Sequence, residues 1–264
     1  MPGYVDGISK FINSISLILM KTVKRSLKNP ALVWTFIFFF AGITNAQSKE
    51  TVNVTVREVL QKYVEATGGK NNLLKVKDKT VVLESVNSGI KVQIVIKQKA
   101  PGKFFQTIDF GTTEYETVFD GSHAKIVAMG QEERLTGKQL ELLKIRALMY
   151  LPVQFEKSGL KPELTGVVRI NGNDVYKVTF KTPSGTGFVQ YFDKKSGLKI
   201  REEFPLIMNN QKFNEITEFG DYHEVRGVKY PFKLIQKAGD SSVEFNVKSI
   251  EINSGLDDNL FAAD

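Results

Sequence analysis

The chain has 264 residues, 42% of them hydrophobic and 25% charged, and it contains no cysteine; this is the composition of a globular protein of one or two domains, not of a disordered one. The missing thiols exclude disulfides, thiolate metal centres and cysteine nucleophiles. Most of the net charge of +7 sits at the N-terminus: residues 1–46 hold five of the 36 basic and one of the 29 acidic residues, leaving 31 against 28, or +3, which is too balanced to argue for a nucleic-acid surface.

That N-terminus reads as a targeting segment. Lys21 to Lys28 forms a positive region, Ala31 to Ile43 an apolar run, and Thr44-Asn45-Ala46 a small-residue cleavage site ahead of Gln47. The apolar run, about 13 residues, is short of the roughly 20 that a membrane-spanning helix needs, so cleavage after Ala46 is expected over a retained anchor. Residues 1 to 19 do not fit such a signal, and Met20, directly before the basic region, offers an alternative start. The expectation is an exported protein of residues 47–264 forming a single domain, with residues 1–46 as signal peptide. No cysteine follows the apolar run, so the protein is not itself expected to be a lipoprotein.

The first element beyond the signal is a helix from Thr55 to about Ala66, with Val56, Val59, Leu60, Tyr63 and Val64 on one stripe. Thr55-Val56-Arg57-Glu58 reads as a capping box, Val54 against Val59 as a hydrophobic staple, and Gly68-Gly69 as the stop. Strands follow at Thr80 to Val86, Ile90 to Lys99, Lys103 to Phe110, Glu114 to Phe119 and Ala124 to Met129. Tight turns at Pro101-Gly102 and Asp120-Gly121 make them antiparallel, because parallel neighbours would need long crossovers.

Thr136 to Phe155 is the longest helical signal after residue 46, and it carries two apolar stripes. Leu140, Leu143, Ala147, Tyr150 and Leu151 form one; Leu142, Ile145 and Met149 form the other. Two stripes imply apolar surroundings on both sides, whether a sheet and a cavity or two protein layers. Strands then resume at Leu164 to Ile170, Val175 to Lys181, Phe188 to Asp193, Leu198 to Glu203, Lys212 to Tyr222, Val228 to Gln236 and Ser242 to Ile252, before a terminal helical turn at Asp257 to Phe261 whose aspartates read as caps. The expected fold is α+β: a large curved antiparallel sheet forming a half-closed β-barrel of about 11 strands, with the helices as a lid.

Catalytic motifs are absent from the sequence. The two histidines, His123 and His223, stand in no zinc-protease pattern, and there is no nucleophile elbow, phosphate loop or dinucleotide fingerprint. Ser184-Gly185-Thr186-Gly187 reads as a hairpin turn. The pairs Glu132-Glu133 and Glu202-Glu203 would point to opposite faces of a strand, which makes solvated charge the simpler reading. No enzyme activity, cofactor or metal is therefore expected. The strand aromatics, including Phe104, Phe110, Phe119, Phe180 and Phe188, are either an ordinary core or, on the concave face with Ile94, Ile96 and Ile108, the lining of an acyl-chain pocket.

Several segments together resemble the LolA-like family of outer-membrane lipoprotein-sorting proteins, in its standalone exported form. They are the first helix closed by Gly68-Gly69, KQKAPGKF (Lys97 to Phe104), FDG (Phe119 to Gly121), the central helix, YFDKKSGL (Tyr191 to Leu198), FGDYHEVRGVKYPF (Phe219 to Phe232) and NSGLDDNLF (Asn253 to Phe261). The resemblance spans nearly the whole chain beyond the signal. It implies an unclosed barrel whose apolar cavity shields acyl chains in the periplasm, or in association with the outer membrane, with membrane-bound donor and acceptor proteins as partners, no nucleic acid, and a monomeric state. Ile94, Ile96, Phe104 and Ile108 would line the cavity. From the lid Leu142, Ile145 and Met149 would face the ligand while Leu140, Leu143 and Leu151 anchor the helix, the reverse assignment being equally open. The alternative on the same fold is a non-catalytic sensor or protein-interaction module; an envelope hydrolase would need activity that depends on His123 or His223.

Overall fold

The structure, a computed structural model, describes residues 54–264 apart from 88–89, 209–210 and 239–240; the expected signal segment lies outside the described residues. Helix α1 (Val56–Ala66) starts as its sequence dictates. The Thr55 hydroxyl accepts from the Glu58 amide, and the Glu58 carboxylate accepts from the Thr55 amide at 2.7 Å, while Val54 and Val59 join one cluster. Gly68 and Gly69 end it at φ of 123° and 83° and lead into the short α2 (Lys70–Lys75).

Thirteen strands form one antiparallel sheet in the spatial order β6-β5-β4-β3-β2-β1-β13-β12-β11-β10-β9-β8-β7. On one side lie β1 (Asp78–Asn87), β2 (Ile90–Lys99), β3 (Lys103–Asp109), β4 (Glu114–Phe119), β5 (Ala124–Ala128) and β6 (Gln131–Arg134). On the other lie β7 (Lys161–Ile170), β8 (Asn173–Lys181), β9 (Gly187–Asp193), β10 (Lys199–Met208), β11 (Gln211–Val225), β12 (Val228–Ala238) and β13 (Ser241–Ile252). Two meanders are joined by the β1–β13 pair, and β6 and β7 stand at opposite, unpaired edges. The sheet is the expected open one, with 13 strands against about 11.

One strand escaped the sequence pattern. The strand expected to run to Met129 ends at Ala128, and Met129-Gly130, at φ of 51° and 74°, turns the chain into β6. Both central residues have positive φ, the geometry of the tight hairpin turns that suit twisted strands. Gln131-Glu132-Glu133-Arg134 has no apolar alternation because it is an edge, where charge guards against pairing with another chain.

At the C-terminus the chain is tied back to β1. The Asp78 carboxylate accepts from the Ser254 and Gly255 amides at 2.8 and 3.1 Å, and Asp257 caps the final 3-10 turn (Asp258–Phe261) by accepting from the Asn259 amide. The neighbouring Asp258 is not a cap: it pairs with Lys99 and Lys103, each at 2.9 Å.

Candidate functional site

The connection from β6 to β7 spans the two edges of the sheet, so its helices cross the concave side. The expected single helix is two: α3 (Gly137–Ala147) and α4 (Leu151–Gln154), separated at Leu148–Tyr150. Pro152 is the cause. In a continuous helix its ring would collide with the carbonyl four residues back, that of Leu148, and Leu148 instead adopts an extended ψ of 112°.

Both stripes of α3 meet protein. Leu143 and Ala147, with Leu140, pack on Phe104, Phe119 and Leu135 from the β1–β6 half. Leu142 and Ile145 pack on Phe180, Phe188 and Phe204 from the other half and on Val59 and Leu60 of α1. The break moves Leu151, which a continuous helix would place with Leu140, into this second group. The helix is thus a strut between two half-sheets. Polar ties hold it in place: Glu141 accepts from the Thr182 hydroxyl and the Ser184 amide and hydroxyl in the β8–β9 turn, and Arg146 pairs with Glu215 of β11 at 3.0 Å while stacking on Phe204.

Helix α1 is fixed by close backbone approach at its end. A Cβ on Gly68 would lie 2.1 Å from the Gly227 carbonyl oxygen, and the Lys229 amide donates to the Thr67 carbonyl at 2.9 Å.

Between these helices and the sheet lies a cavity of about 330 Å³, within the size range of small-ligand sites. Of the residues singled out from sequence, Ile94, Ile96, Phe104, Ile145 and Met149 line it. Leu142 lies in the packed cluster with α1, and Ile108 sits one strand from Ile94 in the cluster of Leu83, Val92 and Phe245, outside the lining. Leu83, Ile94, Ile96, Phe104, Leu234 and Phe245 make one wall apolar.

The opposite wall is polar, which differs from the wholly apolar lining expected. Lys199 and Glu202 of β10 form a 3.0 Å ion pair facing the cavity. Residues three apart in a regular strand face opposite ways, but the β9–β10 register shifts between Lys199 and Arg201, and this bulge turns both inward. Burial opposes each charge, yet the partner prevails: the Lys199 pKa is raised and that of Glu202 lowered. Glu202 is therefore not the solvated charge expected from sequence. Glu203 faces the other way and accepts from the Tyr191 hydroxyl at 2.8 Å. Gln190 donates to Glu202 at 2.6 Å, and its amide oxygen is buried without a partner among the described residues. The Tyr150 and Tyr230 hydroxyls meet at 2.8 Å, and Tyr222 donates to the Lys199 carbonyl at 2.7 Å.

Lys79 also lines the cavity. Its Nζ lies 5.5 Å from the centre of the Tyr230 ring, and burial together with the charge of Lys199 pushes its pKa down to about 8. The strand expected from Thr80 begins at Asp78, which puts Lys79 in phase with Val81 and Leu83 on the inward face.

The two histidines lie elsewhere. His223 is exposed, edge-on to Phe232 and 2.7 Å from Asp221. His123 is exposed in the β4–β5 turn, where its ring, Asp120 and Asp264 bring possible ligand atoms within 4.8 Å of one another. Asp120 already accepts from the Ser122 and His123 amides, so that cluster is accounted for as turn chemistry.

No protein-family model matches the chain, and no curated protein matches it in sequence. Solved structures match it in shape. A LolA superfamily protein from Nitrosomonas europaea superposes with a TM-score of 0.53 at 12% identity, over 79% of this chain and 98% of that one. The chain has the LolA-like fold. A DUF1329 family protein from Desulfovibrio piger gives a TM-score of 0.51 at 13% identity over 79% and 97% of the two chains. A protein domain assigned to outer membrane lipoprotein sorting, from Vibrio parahaemolyticus, gives 0.50 at 12% over 78% and 95%. In this LolA-like fold α1, α3 and α4 are the lid over an open 13-stranded sheet. No helix among the described residues is long and apolar enough to cross a membrane.

Proposed function

We propose that the protein is a carrier that holds lipid, or the acyl chains of a lipoprotein, in the cavity beneath its lid. Residues 1–46 export it to the periplasm, and the cargo moves toward the outer membrane between membrane-bound donor and acceptor proteins, with the carrier acting as a monomer. The observation that carries the reading is the cavity itself, roofed by α1, α3 and α4 and walled on one side by apolar side chains of β1–β3, β12 and β13. Ile94, Ile96 and Phe104 serve as chain contacts from the sheet, and Ile145 and Met149 from the lid. Eight methylenes buried there would contribute about 6 kcal/mol, enough for binding without any catalytic group. The two carboxylates of the polar wall are committed to ion pairs and the tyrosine pKa values are raised by burial, so neither group is poised as a general base.

Fluorescence titration with the acyl probe cis-parinaric acid tests this. Saturable binding is expected, and Ile96→Trp, which fills the void from a rigid strand, should weaken it at least tenfold, equivalent to about 1.4 kcal/mol, within the usual cost of overpacking. A variant that melts like the parent yet binds the probe equally well would sink the reading. It would favour a protein-interaction module, in which the cavity is incidental.

A further inference from the structure

The charges inside the cavity do not balance. Arg146 is paired with Glu215, and Lys199 with Glu202. Lys79 has no carboxylate partner among the described residues; only the Tyr230 ring face attends its ammonium. Tyr63 lines the same cavity, edge-on to Phe192, and its hydroxyl has no hydrogen-bond partner among the described residues. An ammonium half-withdrawn from water without a counter-charge is unfavourable, and a bound anion would offset that cost.

The strand register shows where the rest of such a ligand would go. Lys79, Gln98 and Phe104 lie side by side across β1, β2 and β3; two residues along lie Val81, Ile96 and Gln106; two further lie Leu83, Ile94 and Ile108. Lys79 thus begins a row that becomes apolar over four residues, a length of about 13 Å at 3.3 Å per residue. The far end is closed by Leu83, Ile94 and Phe245.

We propose that Lys79 is the headgroup anchor of the cavity. An amphiphile with one anionic group, a carboxylate or a phosphodiester, sets that group on the Lys79 ammonium and lays its chain along the wall toward Leu83, Ile94 and Phe245. This rests on the cavity being an acyl-chain site and adds the sign and place of the head. The depressed pKa of Lys79 agrees with a group awaiting its counter-charge, since a bound anion would reverse the depression.

The test compares cis-parinaric acid with its methyl ester, the same chain without the charge, at pH 7. The purified protein should bind the acid at least tenfold more tightly than the ester. Lys79→Met should bring the acid down to the affinity of the ester while the ester changes less than twofold, and Lys79→Arg should keep the preference. Equal binding of acid and ester by the parent, or a preference that survives in Lys79→Met, overturns the headgroup assignment and leaves the acyl-chain site standing; binding of neither probe overturns both. Displacement of the acid by oleate, 1-oleoyl-lysophosphatidylglycerol or inorganic phosphate identifies the source of the anion. Stronger displacement by oleate assigns a carboxylate and stronger displacement by the lysophospholipid a phosphodiester, whereas displacement by inorganic phosphate as strong as by either lipid contradicts an amphiphile.

Discussion

Lys79→Met is expected to stabilise the unliganded protein by up to about 3 kcal/mol at pH 7, while removing its preference for an anionic ligand. Methionine keeps the length of the lysine stem and fills the same space. The magnitude follows from the pKa, which falls from an ordinary 10.5 to about 8 in the folded protein; at 1.36 kcal/mol per pH unit this is a ceiling of about 3 kcal/mol. Below about pH 8 both folded and unfolded chains hold the proton, and the folded state bears the full cost of the half-buried, unpaired charge. Between about 8 and 10.5 the unfolded chain keeps a proton that the folded chain has lost, so the parent gains stability as pH rises. The advantage of the variant should therefore be largest at pH 7 and shrink toward pH 10. The groups that face Lys79 are Lys199, with its partner Glu202, and the Tyr230 ring. Paired denaturant titrations of parent and variant at pH 7, 8.5 and 10 check the trend, and titrations common to both chains cancel. A variant less stable than the parent at pH 7 would mean that Lys79 is well solvated or paired, which removes the physical basis for an anionic ligand.

Gly68→Ala should cost about 3 kcal/mol or more and release α1 from the sheet. Gly68 sits at φ +123°, where an alanine is strained by about 1–3 kcal/mol. A collision adds to the strain: the new Cβ would lie 2.1 Å from the Gly227 carbonyl oxygen, a backbone atom in the β11–β12 turn. That turn cannot retreat freely, since the Lys229 amide is bonded to the Thr67 carbonyl and Asn72 donates to the Gly68 carbonyl at 3.0 Å. Gly69→Ala is the internal control: at φ +83° and ψ 154° it carries backbone strain of about 1–3 kcal/mol, but nothing stands within 4 Å of its Cβ position, so strain alone applies and the loss should be smaller than at Gly68. Melting temperatures and amide exchange over Val56–Ala66 measure both. Equal losses for the two variants would contradict close docking of the α1 terminus.

The parts of this structure legible in the sequence are those governed by local rules. The capping box of α1, its two-glycine stop, the Asp120-Gly121 turn and the Asp257 cap all follow from residues within four positions of one another, and the antiparallel meander follows from its tight turns. What was not legible depends on distant neighbours or on small departures from periodicity. The edge strand β6 shows no alternation because solvent takes both its faces. Pro152 was visible, but its effect reaches back to Leu148, so a helix that pattern alone continues is broken there. The inward pairing of Lys199 and Glu202 depends on a bulge in the β9–β10 ladder, which no spacing rule announces. Lys79 did leave a signal: it stands two residues before Val81 and four before Leu83, a charge in phase with an apolar face. A strand begun at the β-branched run leaves Lys79 outside that face.

The central claim is that the space beneath the lid belongs to an acyl chain, and its most direct test uses the protein purified from its own host without detergent. Organic extraction and mass spectrometry should recover close to one acyl-chain-bearing molecule per protein, carrying a carboxylate or phosphodiester head, and the yield should fall in Ile96→Trp. Protein that is folded and consistently free of such molecules would contradict the account.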